Sequence, residues 1–165
     1  RNNSLPTSFE KIQVVTSGEN MYVNAAWNYG ASVAKFDNLL ICNDDVNFDV
    51  NGIGIYLIKE YERGGIIGMA SENYNLKTTN NQLSVNPMIT RPYGWGCIML
   101  IAKANYVPIP DDLLIANGDD WLAKHATPYV LHGLKIESEI STTSGLPEFG
   151  MIQLNDNKVY DEKYR

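Results

Sequence analysis

The sequence is poor in the side chains that build the commonest metal and nucleic-acid sites. Its 165 residues include two cysteines and two histidines, with no Cys/His spacing typical of zinc. The 13 basic residues are outnumbered by 19 acidic ones, which gives a net charge of -6. A protein that coats DNA or RNA needs a basic surface, so nucleic acid is not an expected partner. A single phosphorylated small molecule is still compatible with this charge, because one cation or a few backbone amides can bind it.

Long apolar runs and several catalytic motifs are also missing. No apolar run approaches the length of a membrane-spanning helix, and no signal peptide is visible. We therefore expect a soluble, cytoplasmic protein with no integral membrane segment. The sequence has no P-loop, no GxGxxG and no Gly-x-Ser-x-Gly. Both cysteines, Cys42 and Cys97, lie in apolar runs, which predicts buried free thiols.

The spacing of apolar residues predicts alternating strands and helices. Residues 12–17 and 38–42 have the pattern of strands, and residues 21–35 between them have helical spacing. A strand-helix-strand order favours parallel pairing with a right-handed crossover. We therefore expect an α/β domain with a mostly parallel central sheet and helices on both faces. The other predicted elements are a helix over 50–63, strands over 65–71, 95–106 and 134–142, a long loop or loose hairpin over 72–92, and a helix over 119–126.

The acidic stretch Asn43-Asp44-Asp45 directly follows the apolar run 38–42. In an open α/β sheet, ligands bind beyond the carboxyl ends of the strands. Oxygen ligands at that edge suit a hard divalent cation, which keeps waters and also takes substrate phosphates. An Asx turn or a helix cap would explain the same residues without any ligand.

Two later motifs could take part in chemistry. Asp119 and Asp120 open the predicted helix, where acids are stabilising in any case because the helix N-terminus is positive. A carboxylate there could also act as a general base and take a proton from an attacking hydroxyl. Earlier in the chain, Trp95 stands between Gly94 and Gly96 and offers a flat apolar ring on which a sugar could stack. A turn before a strand would explain the two glycines equally well.

Four segments, in this order, resemble a known family. They are NAAWNYG (24–30), LLICNDDV (39–46), GWG (94–96) and GDDW (118–121). The combination is similar to nucleotide-sugar-dependent glycosyltransferases of the GT-A fold, close to the large inverting group called family 2. The resemblance covers roughly residues 12–126 and implies a Rossmann-like nucleotide-diphospho-sugar transferase domain over 1–165, with its core at 12–145 and an arm at 146–165. Residues 1–11 are too short and polar to supply the family's first strand, so we expect that strand to be absent.

The resemblance implies a nucleotide-sugar donor site at the first acidic motif. Asp45 would be the direct ligand of a Mn or Mg ion, and Asp44 would lie near the donor ribose or sugar. Asn43 stands where many members have an Asp, so the motif has lost one carboxylate. Many members also use a late His ligand, for which His132 is the candidate. The remaining residues that the resemblance places around the donor are Asn24, Asn28, Trp95 and Gly96.

The resemblance also implies the catalytic pair. Asp120 would be the general base, and Asp119 would orient the acceptor or the base. The acceptor would be a glycan, a lipid-linked sugar or a protein, and direct displacement would invert the anomeric centre. Three alternatives stay open: a sugar nucleotidyltransferase, for which the basic Gly-rich loop is missing, a structural metal-binding domain, and a catalytically inactive carbohydrate-binding or scaffold domain.

Overall fold

The computed structural model describes residues 18–49, 64–80, 82–138 and 146–165. Seven strands occur in these ranges, and each is three to five residues long. They are β1 (Asn38–Cys42), β2 (Val46–Phe48), β3 (Ile66–Met69), β4 (Ser84–Pro87), β5 (Ile98–Ala102), β6 (Pro128–His132) and β7 (Ile136–Ser138).

Three α-helices accompany the strands in the described ranges. They are α1 (Tyr22–Val33), α2 (Gly118–His125) and α3 (Pro147–Lys163). The helix α2 has acids in its first turn and bases in its last, which matches the direction of the helix dipole. The helix α3 begins with a proline, which is tolerated there because the missing N–H has no partner in the first turn. The stretch predicted to be a polar arm is therefore a 17-residue helix.

The predicted mostly parallel, Rossmann-like GT-A sheet is wrong. Five strands form one mixed sheet in the order β1-β5-β3-β6-β4, and β2 pairs with β7 separately. Within the described part of the five-stranded sheet, only β3 and β6 pair in parallel. The other three pairings, β1 with β5, β3 with β5 and β4 with β6, are antiparallel.

The error has identifiable causes. The prediction rested on a parallel pair formed by residues 12–17 and β1, and residues 12–17 lie outside the described ranges. It did not include β6, and it placed β4 inside a long loop or loose hairpin. Instead β5, whose first four residues are all buried, inserts between β1 and β3 and runs against both.

The prediction of helices on both faces also fails for the described residues. One face of the sheet carries a buried cluster that includes Ala31 of α1 and Leu122 of α2, and Val159 of α3 packs against it. The cluster on the other face is built from strand residues and the segments next to them. The helix predicted over 50–63 lies outside the described residues.

Strand direction places the polar motifs at one edge of the sheet. Because β5 is antiparallel to both β1 and β3, these two strands run in the same direction, and β6 runs parallel to β3. The strands β1, β3 and β6 therefore all end where β5 begins. We call this the carboxyl edge of the sheet. Segments that follow these three strands, or that precede β5, meet there.

Candidate functional site

The turn before β5 brings together three motifs that are far apart in the sequence. This turn is a short 3-10 helix, Trp95–Cys97, at the carboxyl edge. At the end of β1, the backbone N–H of Asn43 donates a hydrogen bond to the Cys97 carbonyl oxygen, 3.0 Å away. From the other side, a Cβ added at Gly96 would lie 2.5 Å from Oδ2 of Asp119. Gly96 is therefore needed because the side chain of Asp119 packs on its backbone.

The two acidic motifs both act on the thiol of Cys97 at this turn. Both cysteines are free as predicted, but Cys97 is half-buried and Cys42 is exposed, so the prediction that both are buried is wrong. Burial raises the pKa of Cys97, and the nearby carboxylates of Asp45 and Asp119 add to that rise. The Tyr74 hydroxyl also lies there and donates to the Gly94 carbonyl oxygen at 2.7 Å. Its pKa is raised as well, mainly by burial, with Asp45 contributing. Asp45 and Asp119 are thus close to the same small group of side chains.

Arg91 joins the second acidic pair and was not predicted as a site residue. Its Nη1 forms an ion pair with Oδ2 of Asp119, and its Nε lies 3.2 Å from Oδ1 of Asp120. One guanidinium therefore contacts both acids. In the sequence, Arg91 is recognisable only as an Arg four residues before the Trp of a Gly-Trp-Gly turn. That position does not indicate a pairing with Asp119 or Asp120.

The carboxyl group of Asp120 is half-buried and has a perturbed pKa. Burial raises the pKa of Asp120, and the negative charge of Asp119 raises it further. The guanidinium groups of Arg91 and Arg165 oppose this rise only in part. A carboxyl group whose pKa lies above its usual range is a better proton acceptor than an ordinary surface aspartate.

Asn24 and Asn28 lie below the loop that leads into α2. The buried side chain of Asn24 donates through Nδ2 to the carbonyl oxygens of Leu113 and Ala116, both at 3.0 Å. One turn later, Nδ2 of Asn28 donates to the Ile109 carbonyl oxygen at 2.8 Å. Both residues thus hold backbone, and Asn24, at 1% exposure, does not face solvent.

Asp156 of α3 holds the same loop from the opposite side. Its Oδ2 accepts hydrogen bonds from three consecutive backbone N–H groups, those of Leu114, Ile115 and Ala116, at 2.8–3.0 Å. The carboxylate is fully buried, and its Oδ1 has no hydrogen-bond partner among the described residues. Sequence reasoning missed Asp156 because these contacts depend on how α3 docks.

This double clamp fixes the entrance to α2. Asn24 donates hydrogen bonds to carbonyl oxygens of the loop 113–117, and Asp156 accepts hydrogen bonds from backbone N–H groups of the same loop. Asn117 then adopts a positive φ of 60°, which Asn tolerates better than most residues. A Cβ added at the next residue, Gly118, would lie 2.1 Å from Oδ1 of Asn24. The position of the acidic pair is therefore set by buried residues on α1 and α3.

Trp95 is part of the core. Its side chain is 1% exposed, and its indole Nε1 donates to the Tyr129 carbonyl oxygen at 2.9 Å. A Cβ added at Gly68 would lie 2.4 Å from the ring, so the sheet packs directly on it. In this structure the ring has no exposed face on which a sugar could stack.

His132 lies at the carboxyl edge and contacts a glutamate there. It ends β6, and its Nδ1 contacts a carboxylate oxygen of Glu72, whose pKa this hydrogen bond lowers. Two strands, β5 and β3, separate β6 from β1. The described contact of His132 is with Glu72.

The structure is compatible with a divalent ion that arrives with the donor and is bound by Asp45, one of the two predicted protein ligands. No group of three His, Cys, Asp or Glu side chains is arranged to hold a metal among the residues that the structure describes. Mg or Mn bound mainly through substrate phosphates needs only one or two protein carboxylates. Asp45, exposed in the turn after β1 beside the exposed Asp44, fits that requirement. The contact of His132 with Glu72 leaves its role as a second ligand a prediction.

Comparisons with known proteins add no family to this picture. No protein-family model, curated protein or solved structure matches the chain. Within the described ranges, every helix falls short of the length or the apolar content that crossing a membrane would need. Any statement about function therefore depends on the chemistry of the residues that meet at the carboxyl edge.

Proposed function

We propose that this protein is a glycosyltransferase that moves a sugar from a nucleotide-diphosphate donor to an acceptor hydroxyl. The observation that carries the proposal is the meeting of Asn43, Gly96 and Asp119 at one turn, although they come from distant parts of the sequence. This meeting places an exposed acidic motif and a half-buried acidic pair near each other. One motif can then bind the donor while the other activates the acceptor hydroxyl, and a displacement between two substrates needs both functions.

Asp120 is the general base in this proposal. It takes the proton of the acceptor hydroxyl while the acceptor oxygen forms a bond to the anomeric carbon of the donor sugar. The bond between that carbon and the diphosphate breaks, and its electron pair leaves with the phosphate oxygen. Attack from the face opposite the leaving group inverts the anomeric centre. The raised pKa of Asp120 supports this role, since it strengthens the carboxylate as a base.

The other acids bind and orient in this proposal. Asp119 is held by Gly96 and Arg91 and keeps the base in place. Asn43, Asp44 and Asp45 lie at the donor end, after β1. A Mn or Mg ion held there by Asp45 would neutralise charge on the diphosphate leaving group. The cytoplasmic location expected from the sequence belongs to the same proposal.

The first test measures nucleotide release from UDP-, GDP- and dTDP-sugars with Mn, in the presence and absence of a pool of glycan acceptors. Asp120→Asn should lower transfer by about 10²–10⁴-fold, because it removes the proton acceptor. Donor-induced thermal stabilisation should be retained, since the donor-end acids are intact. The matched control is Asp111→Asn, which changes an exposed acid at the start of the turn before the clamped loop. Turnover by Asp120→Asn equal to that of the control would refute the assignment.

The pH dependence gives a second measure of the same role. The transfer rate should fall as the pH is lowered through the raised pKa of Asp120, because protonation removes the base. The fall should therefore occur at a higher pH than an ordinary aspartate would give. A rate that stays constant across that range would contradict a role for this carboxylate.

A catalytically inactive carbohydrate-binding domain is the second candidate. The observation that favours it is the Arg91 guanidinium, which engages both Asp119 and Asp120. An enzyme of the proposed type must release the base from this contact during turnover. Saccharide binding without metal-dependent nucleotide release would support the inactive domain.

A further inference from the structure

The helices α2 and α3 border an open groove of about 650 Å³ beside the acidic pair. The groove is lined mainly by polar side chains, and Asp120 forms part of its wall. The lining residues that matter for recognition are Asn117, Asp120, Lys124, Asn157, Tyr160 and Arg165.

The wall that α3 contributes is firmly attached. Asp156 anchors the helix to the loop 113–117 through three hydrogen bonds. Near its other end, Lys163 Nζ lies 2.7 Å from one carboxylate oxygen of Asp112, and the Tyr164 hydroxyl donates to the other at 2.9 Å. The groove is therefore bounded by two helices in a fixed relation.

The groove has no excess charge of either sign. The acids Asp120 and Asp161 are balanced by Lys124 and Arg165, and Arg165 forms an ion pair with Asp161 at 2.9 Å. A polyphosphate or a nucleic acid would meet two carboxylates in this groove. An apolar ligand would leave these charged groups without water or partners, which is unfavourable. The chemistry therefore favours a neutral ligand that can both donate and accept hydrogen bonds.

Two amides and one aromatic ring complete the surface. Asn117 Nδ2 donates to Asn157 Oδ1 at 2.8 Å across the groove, which leaves further donor and acceptor capacity on both amides. Tyr160 offers a ring with a polar end. Burial raises the pKa of the Tyr160 hydroxyl, and the Asp120 and Asp119 carboxylates raise it further, so this ring is close to the acidic pair.

We propose that this groove binds the acceptor, and that the acceptor is a neutral saccharide whose attacking hydroxyl meets Asp120. The inference rests on the proposed function and selects one of the acceptor classes that the sequence left open. Asn117 and Asn157 hydrogen-bond the ring hydroxyls, and a face of the sugar packs on Tyr160. Two of these three residues, Asn157 and Tyr160, lie on α3, a segment that the sequence did not indicate as part of the site.

The test titrates the whole chain with methyl glycosides and with neutral oligosaccharides of two to four sugars, followed by saturation-transfer NMR and amide chemical shifts. Tyr160→Ala and Asn157→Ala should each weaken binding by at least about tenfold. Tyr160→Phe keeps the ring and should lose less. The matched control is Lys158→Ala, which removes a side chain on α3 that is 71% exposed. Failure of the wild-type chain to bind any of these saccharides, or equal binding by Tyr160→Ala, would overturn the proposal.

A parallel assay separates this proposal from the function on which it rests. Hydrolysis of the donor by water needs the donor end and Asp120, whereas transfer to a saccharide also needs the groove, so Tyr160→Ala should lower transfer by a larger factor than it lowers donor hydrolysis. Equal transfer by Tyr160→Ala and wild type would refute the groove while the glycosyltransferase assignment stands. Saccharide binding that depends on Tyr160, without any donor hydrolysis, would support the groove and refute that assignment.

Discussion

Replacing Asp156 tests the structural basis of the candidate site most directly. One carboxylate oxygen of this buried residue accepts hydrogen bonds from three consecutive backbone amides. A hydrogen bond to a charged group contributes about 1.5–3 kcal/mol, and a buried donor left without a partner costs about 1–3 kcal/mol. The three bonds share one oxygen, and burial of the charge offsets part of their sum. Asp156→Ala removes the charge and leaves three backbone N–H donors without this acceptor, so we expect a net loss of about 2–4 kcal/mol.

Urea unfolding of Asp156→Ala and Asp156→Asn gives the free energies. The Asn variant keeps an acceptor oxygen but loses the charge, so its loss should be smaller, at about 1–3 kcal/mol. The matched control is Glu162→Ala on the same helix, which removes only an exposed pair with Lys158 at 4.0 Å and should cost about 0.3–0.5 kcal/mol. A loss below about 1 kcal/mol for Asp156→Ala would refute the view that this carboxylate holds the loop.

Three further predictions concern the entrance to α2, the proposed base Asp120 and the histidine that ends β6. Gly118→Ala should lower the free energy of unfolding by about 1–3 kcal/mol, because its Cβ would lie 2.1 Å from Oδ1 of the buried Asn24. The control Gly150→Ala, with nothing within 4 Å of its Cβ in the helix α3, should instead stabilise by about 0.5–1 kcal/mol, and equal losses in urea would contradict both. Asp120→Asn should raise the melting temperature at pH 7, because burial and its acidic neighbour raise the pKa of the native carboxyl and make its ionised form unfavourable. This gain in melting temperature should shrink as the pH falls through the raised pKa of Asp120, because the wild-type carboxyl then also becomes neutral. A wild-type protein that melts at a higher temperature than Asp120→Asn at pH 7 would contradict the prediction. His132→Ala should leave Mn affinity in calorimetric titration unchanged, since this histidine is already engaged by the carboxylate of Glu72, and a clear loss of affinity would show that it is a ligand.

The local elements were largely predictable, because their patterns are local. The strand over 38–42 and the helix that begins near Asp119 follow from apolar spacing and from acids at a helix start, and both are confirmed. The pairing of the strands was not predictable in the same way. The order β1-β5-β3 depends on which apolar strand fills the space between two others, and the apolar run of β5 is compatible with either direction. The strand β6 was missed because only three apolar residues lie between its terminal Pro128 and His132.

The candidate site was also predictable only where its residues belong to local motifs. The sequence order of the motifs indicated that Asp45 and Asp119 belong to one region, and in the structure both lie near Cys97. Their roles in catalysis stay predictions. Arg91 and Asp156 could not be found, because a lone Arg and a lone Asp carry no spacing signal. Their partners are defined only once the loop 113–117 and α3 are packed together.

The anchoring of the loop 113–117 by Asp156 has a consequence for how the protein is made. The carboxylate that holds the amide of Ala116 stands 40 residues later in the chain. A nascent polypeptide that already contains the acidic pair therefore still lacks the group that sets its geometry. The ribosome must release most of α3 before the amides of residues 114–116 exchange water for their protein partner. Assembly of the site should accordingly wait until α3 has emerged, however early the sheet forms.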